Sequence, residues 1–245
     1  MLLVERVSVM NMENAIRGAR NPLNSWARMD SYYDERGNFV LGENDLSLAR
    51  RLAKAGSDHR KYLRQIMVSM DITAPLYWWK EFDTYKVGTV ANSCSTMHCI
   101  HKHEFTLDDF SHEHLIDYDL YACDESECMV LQGAPHIQCG GLQQLNLTIN
   151  ILNFYRRKYL ETKSKPMKDE KARQALMKKY WWQMIQLLPA SLNQKATMQL
   201  NYQVLQGIYE TRKGHRLDEW HTFCDWIKQL PYSNLIIPPA KTDSE

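Results

Sequence analysis

The chain has 245 residues, 44% of them hydrophobic and 11% aromatic, enough to bury a sizeable core as one large domain or two small ones. Lys and Arg total 30 against 29 Asp and Glu, a net charge of +1, which excludes the clear basic excess of a nucleic-acid-binding domain. The N-terminal apolar run is broken by Glu5 and Arg6, and no later segment reaches the roughly 20 apolar residues of a membrane span. The expectation is a soluble, cytoplasmic protein with neither nucleic acid nor membrane as partner. The six cysteines are then thiols rather than disulfides, and the Asn146-Leu-Thr sequon has no role.

In chain order, residues 2–9 (LLVERVSV) predict a short strand. Residues 12–20 predict a helix ended by Asn21-Pro22. Residues 31–44 read as a hairpin or loop turning at Arg36-Gly37-Asn38. Asp45 suits the N-cap of a helix over 46–55, with Gly56 just past its end. Residues 64–72 place Ile66, Val68, Met70 and Ile72 on one side with period 2, a half-buried strand. Pro75 fits the first turn of the next helix, which carries Trp78 and Trp79. That helix runs into a small, polar, hydroxyl-rich loop ending near His98.

The second half is helical. Leu142, Leu145, Ile149, Leu152 and Tyr155 recur at helical spacing across 141–161, and residues 168–187 repeat that character after the polar break of 163–168. Two more helices are predicted, over 191–212 and about 217–229, the latter stopped by Pro231. Strands and helices first, then a helical run, predict an α+β fold rather than βαβ winding.

The sequence has no Walker loop, GxGxxG, HExxH or GxSxG signature. Cys94, His98, Cys99, His101 and His103 crowd together, and Cys123 and Cys128 repeat the Cys94–Cys99 gap. Such ligands suit tetrahedral zinc, but the gap is not the usual two-residue knuckle, buried thiols and surface histidines are the commoner explanation, and the reading is no metal. Asn201 and Arg212 are expected on one helix; eleven residues is about three turns, so both share a face. A guanidinium ending an apolar stripe suits a phosphate or a pyrimidine edge, against an ordinary helix-end arginine favoured by the macrodipole. Ser93, Cys94, Ser95 and Thr96 after Asn92 can cradle an anion or simply cap a helix. The pairs Trp78-Trp79 and Trp181-Trp182 can stack bases, but in such helices belong in the core.

These motifs together resemble the flavin-dependent thymidylate synthases. That family opens a helix with Ala-Pro, continues with Arg-Gln-x-x-Arg-His-Arg, and follows with a loop of the form Asn-Glu-x-Ser-x-Arg-Tyr. Here Ala74-Pro75 opens the helix, Lys80-Glu81 stands for Arg-Gln, and Thr84-Tyr85-Lys86 stands for Arg-His-Arg. Asn92, Ser95 and Thr96 fit the loop, with Ser93 for its glutamate, Met97 for its arginine and His98 for its tyrosine. Asn201 and Arg212 match the spacing of the family's second motif, Leu217-Asp218-Glu219-Trp220 stands where it reads Ala-Gln-x-Glu, and Gly18-Ala19-Arg20 is similar to its Ala-Ala-Arg.

The resemblance covers roughly residues 1–230. It implies a single domain over 1–245 with a mixed sheet, a helical second half and insertions at 105–140 and 163–190. It further implies a homotetramer with sites between subunits and transfer of a one-carbon unit to dUMP or a related pyrimidine deoxynucleotide, with dCMP or hydroxymethylation as a close variant. FAD would carry hydride, with NADPH and methylenetetrahydrofolate as co-substrates. Arg212 would be the catalytic residue. Glu81, Thr84, Ser93, Ser95, Thr96 and Arg212 would bind nucleotide, and Tyr85, Lys86, Asn92 and Asn201 the flavin. The hydroxyl-rich loop would be the remodelled floor of that site. Most of the family's charges there are lost, and Lys86 does not replace an arginine in bidentate phosphate recognition. The alternative is a nucleotide-binding or interaction protein that kept the fold and lost the flavin, and a third is a zinc-stabilised structural protein using Cys94 and Cys99.

Overall fold

The computed structural model describes residues 1–117 and 140–237. Strand β1 (Leu3–Met10) leads into α1 (Met12–Ala19), the hairpin β2 (Tyr32–Tyr33) and β3 (Phe39–Val40), and α2 (Glu43–Lys54). A 3-10 segment, Arg60–Gln65, precedes β4 (Met67–Pro75) and α3 (Leu76–Phe82). Then come β5 (Val90–Ser93), α4 (Thr96–Cys99), α5 (Gly141–Ser164), α6 (Glu170–Leu187), β6 (Asn193–Asn201), α7 (Tyr202–Arg212) and α8 (Asp218–Lys228). The chain divides into two compact units, one of Met1, Ala74–Tyr77 and Cys94–Gln194, the other of Leu2–Thr73, Trp78–Ser93 and Lys195–Glu245.

The second unit holds a four-stranded sheet in the order β1-β4-β6-β5. Strand β4 carries out the period-2 pattern: Val68, Met70 and Ile72 are fully buried, while Ser69, Asp71 and Thr73 stand half-buried on the other face. Polar cross-strand bonds tie that second face together, with Thr197 donating to Asp71 at 2.6 Å and Lys195 reaching Glu5 at 3.1 Å. The buried face meets a core rich in aromatic rings. Trp78 has no exposed surface and stands 4.9 Å from Phe82, 4.8 Å from Trp220 and 5.7 Å from Phe223, centroid to centroid. Trp78 and Trp79 are therefore core residues.

The first unit is built on α5 and α6. Leu145, Ile149, Leu152 and Met184 bury against Ile100, Phe105, Phe110 and Leu192. Buried Asn153 clasps the incoming chain, accepting from the Phe105 N–H at 2.9 Å and donating to its carbonyl at 2.8 Å. Both polar ends of the amide are thus satisfied inside the core. Trp181 and Trp182 meet edge to face at 4.9 Å; Trp181 packs against that core, but Trp182 is 42% exposed, so the second pair, expected in the core, is not wholly buried there.

Several local expectations are corrected. Residues 191–212 form not one helix but strand β6 followed by α7; the alternating Ala196, Met198 and Leu200 are buried on one side, a period-2 signal that helical spacing conceals. The polar loop after α3 contains an edge strand, β5, which pairs Asn92 with Thr197 and Ser93 with Ala196. Pro75 ends β4 rather than lying inside α3. Asp45 is not an N-cap but a fully buried residue in the third position of α2. Capping comes from Asp30, whose carboxylate accepts from the N–H groups of Asn44 and Asp45 at 2.8 and 3.0 Å. Gly42 makes room for it: a Cβ there would lie 2.3 Å from Asp30 Cγ. Gly56 sits past α2 at φ 100°, as expected of a residue closing a helix.

Candidate functional site

Arg212 ends α7 and Glu81 lies in the last turn of α3. Arg212 Nη1 donates to Glu81 Oε2 at 2.7 Å, and Nε donates to the Tyr85 hydroxyl at 2.8 Å. Tyr85 in turn lies 2.8 Å from Thr211 Oγ1. Because the Thr211 hydroxyl is directed at the Gly207 carbonyl at 2.8 Å, the Tyr85 proton points to Thr211, and the chain of bonds runs one way from Arg212 to the backbone of α7. Thr84 helps set Tyr85 in place: its hydroxyl and N–H both bond to the Glu81 carbonyl, turning the chain out of α3.

Two further residues complete the cluster. Trp220 Nε1 donates to Glu81 Oε2 at 3.0 Å, and its ring lies 4.7 Å from Arg212 Cζ, in cation–π contact. His215 Nδ1 accepts from the Leu217 N–H at 3.1 Å, which places the proton of a neutral imidazole on Nε2, 3.2 Å from Glu81 Oε2. One carboxylate oxygen thus accepts hydrogen bonds from Arg212 and Trp220 and has the His215 imidazole close beside it. Among the described residues, Glu81 Oε1 and Arg212 Nη2 make no hydrogen bond. The pair offers a ligand one charged acceptor and one charged donor, an arrangement suited to a polar ring edge and poorly suited to a lone phosphate, which the carboxylate repels. Sequence reasoning missed His215 and singled out Trp220 only as part of a segment. The available signal was the short link between α7 and α8, which returns the first turn of α8 onto the last turn of α7.

The remaining predicted residues occupy different settings. Asn201 lies outside α7, with extended backbone at φ −128°, and caps it, its Oδ1 accepting from Val204 N–H at 3.0 Å. It does not share a helix face with Arg212. A Cβ on Gly88, whose φ is 79°, would come 3.0 Å from Asn201 Nδ2, so the loop before β5 closes tightly on that amide. Lys86 is exposed and without an ion pair among the described residues. Asn92 and Ser93 are exposed on edge strand β5. Ser95 and Thr96 belong to the other compact unit, where Ser95 Oγ accepts from His98 N–H at the start of four-residue α4.

Among the described residues no three His, Cys, Asp or Glu side chains gather as metal ligands. Cys94 is exposed and Cys99 half-buried, and His103 lies 3.3 Å from Asp109. Cys123 and Cys128 lie outside the described residues. Nor is any described helix long and apolar enough to cross a membrane.

No protein-family model and no curated protein matches the sequence. The fold matches solved structures across nearly the whole chain. Flavin-dependent thymidylate synthase ThyX from Helicobacter pylori, complexed with FAD and dUMP, superimposes with a TM-score of 0.58 at 13% identity over 95% of each chain. A second structure of that enzyme with FAD and dUMP gives 0.59 at 13% identity over 96% of each. The UMP/dUMP methylase PolB from Streptomyces cacaoi, bound with 5-Br UMP, gives 0.51 at 14% identity over 96% of this chain and 93% of that one. The chain therefore has the α+β fold of the flavin-dependent thymidylate synthases.

Proposed function

We propose that this chain is a divergent enzyme of the flavin-dependent thymidylate synthase type, transferring a one-carbon unit to a pyrimidine deoxynucleotide, dUMP or a close relative. The observation that carries the reading is the Glu81–Arg212 pair, set on a fold whose neighbours bind dUMP or an analogue of UMP. Glu81 Oε1 and Arg212 Nη2 would bond the base edge: a uracil presents a ring N–H to the carboxylate and a carbonyl to the guanidinium, and a cytosine its amino group and ring nitrogen or carbonyl. Tyr85 and Trp220 would hold the guanidinium in plane for that contact. Ser93, in the same compact unit, would take the phosphate, and Thr84 supports Tyr85 from behind.

For a flavin, Lys86 and Asn92 fit: an exposed cation and an exposed amide are what a diphosphate and a ring edge require. Asn201 fits less well, since its carbonyl oxygen is committed to α7. FAD, when bound, would supply hydride transfer, with NADPH and methylenetetrahydrofolate as reductant and carbon donor, while the protein positions the base. A homotetramer and a cytoplasmic setting belong to the same proposal, as does a single domain over 1–245.

The second reading is a nucleotide-binding protein without flavin. Thr84 favours it, standing where the resemblance expects an arginine and spending its hydroxyl on the Glu81 carbonyl. The visible absorption spectrum of the purified protein, before and after FAD addition and after denaturation, separates the two. Stoichiometric flavin followed by turnover of dUMP or dCMP is the expected result. A colourless protein that takes up no FAD yet binds nucleotide would replace the first reading with the second.

A further inference from the structure

A second polar cleft lies in the sheet-bearing unit, away from Glu81 and Arg212 in the chain. It has a volume of about 540 Å³ and is walled by the 20–28 segment and one side of α2. Its polar lining comprises three arginines (Arg20, Arg28 and Arg51), the hydroxyls of Ser25 and Ser47, and two asparagine amides, and no carboxylate is among its lining residues. Leu23, 84% exposed, stands at its side.

Arg20 is the unusual member. It is 4% exposed and fixed from two directions: Nε donates to Asp45 Oδ1 at 2.6 Å and Nη1 to the Ser25 carbonyl at 3.3 Å. Its third nitrogen, Nη2, is buried with no hydrogen-bond partner. Orphaned buried donors are rare in native proteins and point to an unfilled acceptor. Asp45 cannot supply it. Its Oδ2 already accepts from Ser31 N–H at 3.0 Å, Ser31 Oγ at 2.6 Å and Asp30 N–H at 3.2 Å.

The charges agree with that reading. The Arg20–Asp45 pair is neutral as a unit, which leaves Arg28 and Arg51 as two guanidiniums without an ion pair among the described residues. Two permanent positive charges, a buried N–H donor and two hydroxyl-bearing residues complement a doubly charged oxyanion. Exposed Leu23 adds an apolar surface for the group the anion is attached to. We propose that this cleft binds the phosphate of an organic phosphate monoester, as a site separate from the one at Arg212.

The test is calorimetric titration of the full chain with phenyl phosphate and, separately, inorganic phosphate. The wild type and Arg212→Ala should bind phenyl phosphate equally, and the double variant Arg28→Gln/Arg51→Gln should bind it at least tenfold more weakly. Both changes are at exposed positions, and an unaltered circular dichroism spectrum would establish that the fold is kept. Tighter binding of phenyl phosphate than of inorganic phosphate identifies the monoester as the ligand class; equal or weaker binding overturns that assignment. No binding by the wild type, or loss of binding in Arg212→Ala alone, overturns the site itself. A failure here leaves the flavin and nucleotide measurements untouched, because none of these arginines belongs to the Arg212 cluster.

Discussion

Glu81 and Arg212, 131 residues apart in sequence, meet at 2.7 Å through Oε2 and Nη1. The contact is partly open, with the Arg212 side chain 17% and that of Glu81 34% exposed, so solvent screens it. Its stabilising effect should be modest and its orienting effect larger. Glu81→Ala should lower unfolding free energy by about 1 kcal/mol, and a double-mutant cycle with Arg212→Ala should show coupling of about 0.5–1 kcal/mol. Nucleotide affinity, by calorimetry with dUMP and dCMP, should fall about a hundredfold in Arg212→Ala, the cost of a charged hydrogen bond at roughly 2.8 kcal/mol. Unchanged affinity in that variant would move the nucleotide site elsewhere.

Asn201 allows two roles to be separated. Its Oδ1 caps α7, and its Nδ2 faces the turn at Gly88. Asn201→Asp keeps the capping oxygen, whereas Asn201→Ala removes it and should cost about 1 kcal/mol in urea unfolding. If the amide nitrogen also reaches flavin, Asn201→Asp should lose FAD affinity at nearly full stability. Equal FAD affinity in the wild type and Asn201→Asp would confine the residue to capping.

Legibility in the sequence followed the strength of local signals. The period-2 run of β4 and the apolar spacing of α5 were readable, because burial on one face writes itself directly into residue order. Strand β6 was hidden: Lys195, Thr197 and Gln199 alternate with buried Ala196, Met198 and Leu200, but this short pattern runs straight into α7, and the join carries no proline or glycine. Asp45 illustrates a different limit. As a helix-start aspartate it resembles a cap, yet its role is set by Arg20, 25 residues earlier, and the true cap is Asp30 from another loop. At the candidate site, Arg212 and Glu81 were found through family-like spacing. His215 entered only through the three-dimensional return of the chain after α7, which single-residue patterns do not encode.

Asp45 also governs an acid response. Burial pushes its carboxyl up, but hydrogen bonds from Ser31 and Arg20 and the N–H groups of Asp30 and Ser31 outweigh that and hold it below the usual carboxylate range. A group depressed in the folded state contributes stability above its unfolded value, near pH 4, and loses it as pH falls through the folded value. Asp45→Asn should therefore destabilise the protein by about 3–5 kcal/mol at pH 7, since it leaves a guanidinium buried without its counter-charge. The gap between wild type and variant should narrow below about pH 4 in urea titrations. A gap constant from pH 7 to pH 2 would show that charge plays no part.

Cys94 and Cys224 should differ sharply in reactivity. Cys224 lies on the inner face of α8, 3% exposed, and burial pushes its thiol up to about 11, with Asp225 adding to the shift and Lys228 opposing it. At pH 8 roughly one molecule in a thousand would carry the thiolate there, and the thiolate is the reacting form. Cys94 is exposed and carries no such steric barrier. Iodoacetamide at pH 8, followed by peptide mass spectrometry, should label Cys94 in the native protein and Cys224 only after denaturant is added. Labelling of Cys224 at the same rate as Cys94 would mean that α8 opens far more often than its packing against Trp78 and Phe82, through Trp220 and Phe223, allows.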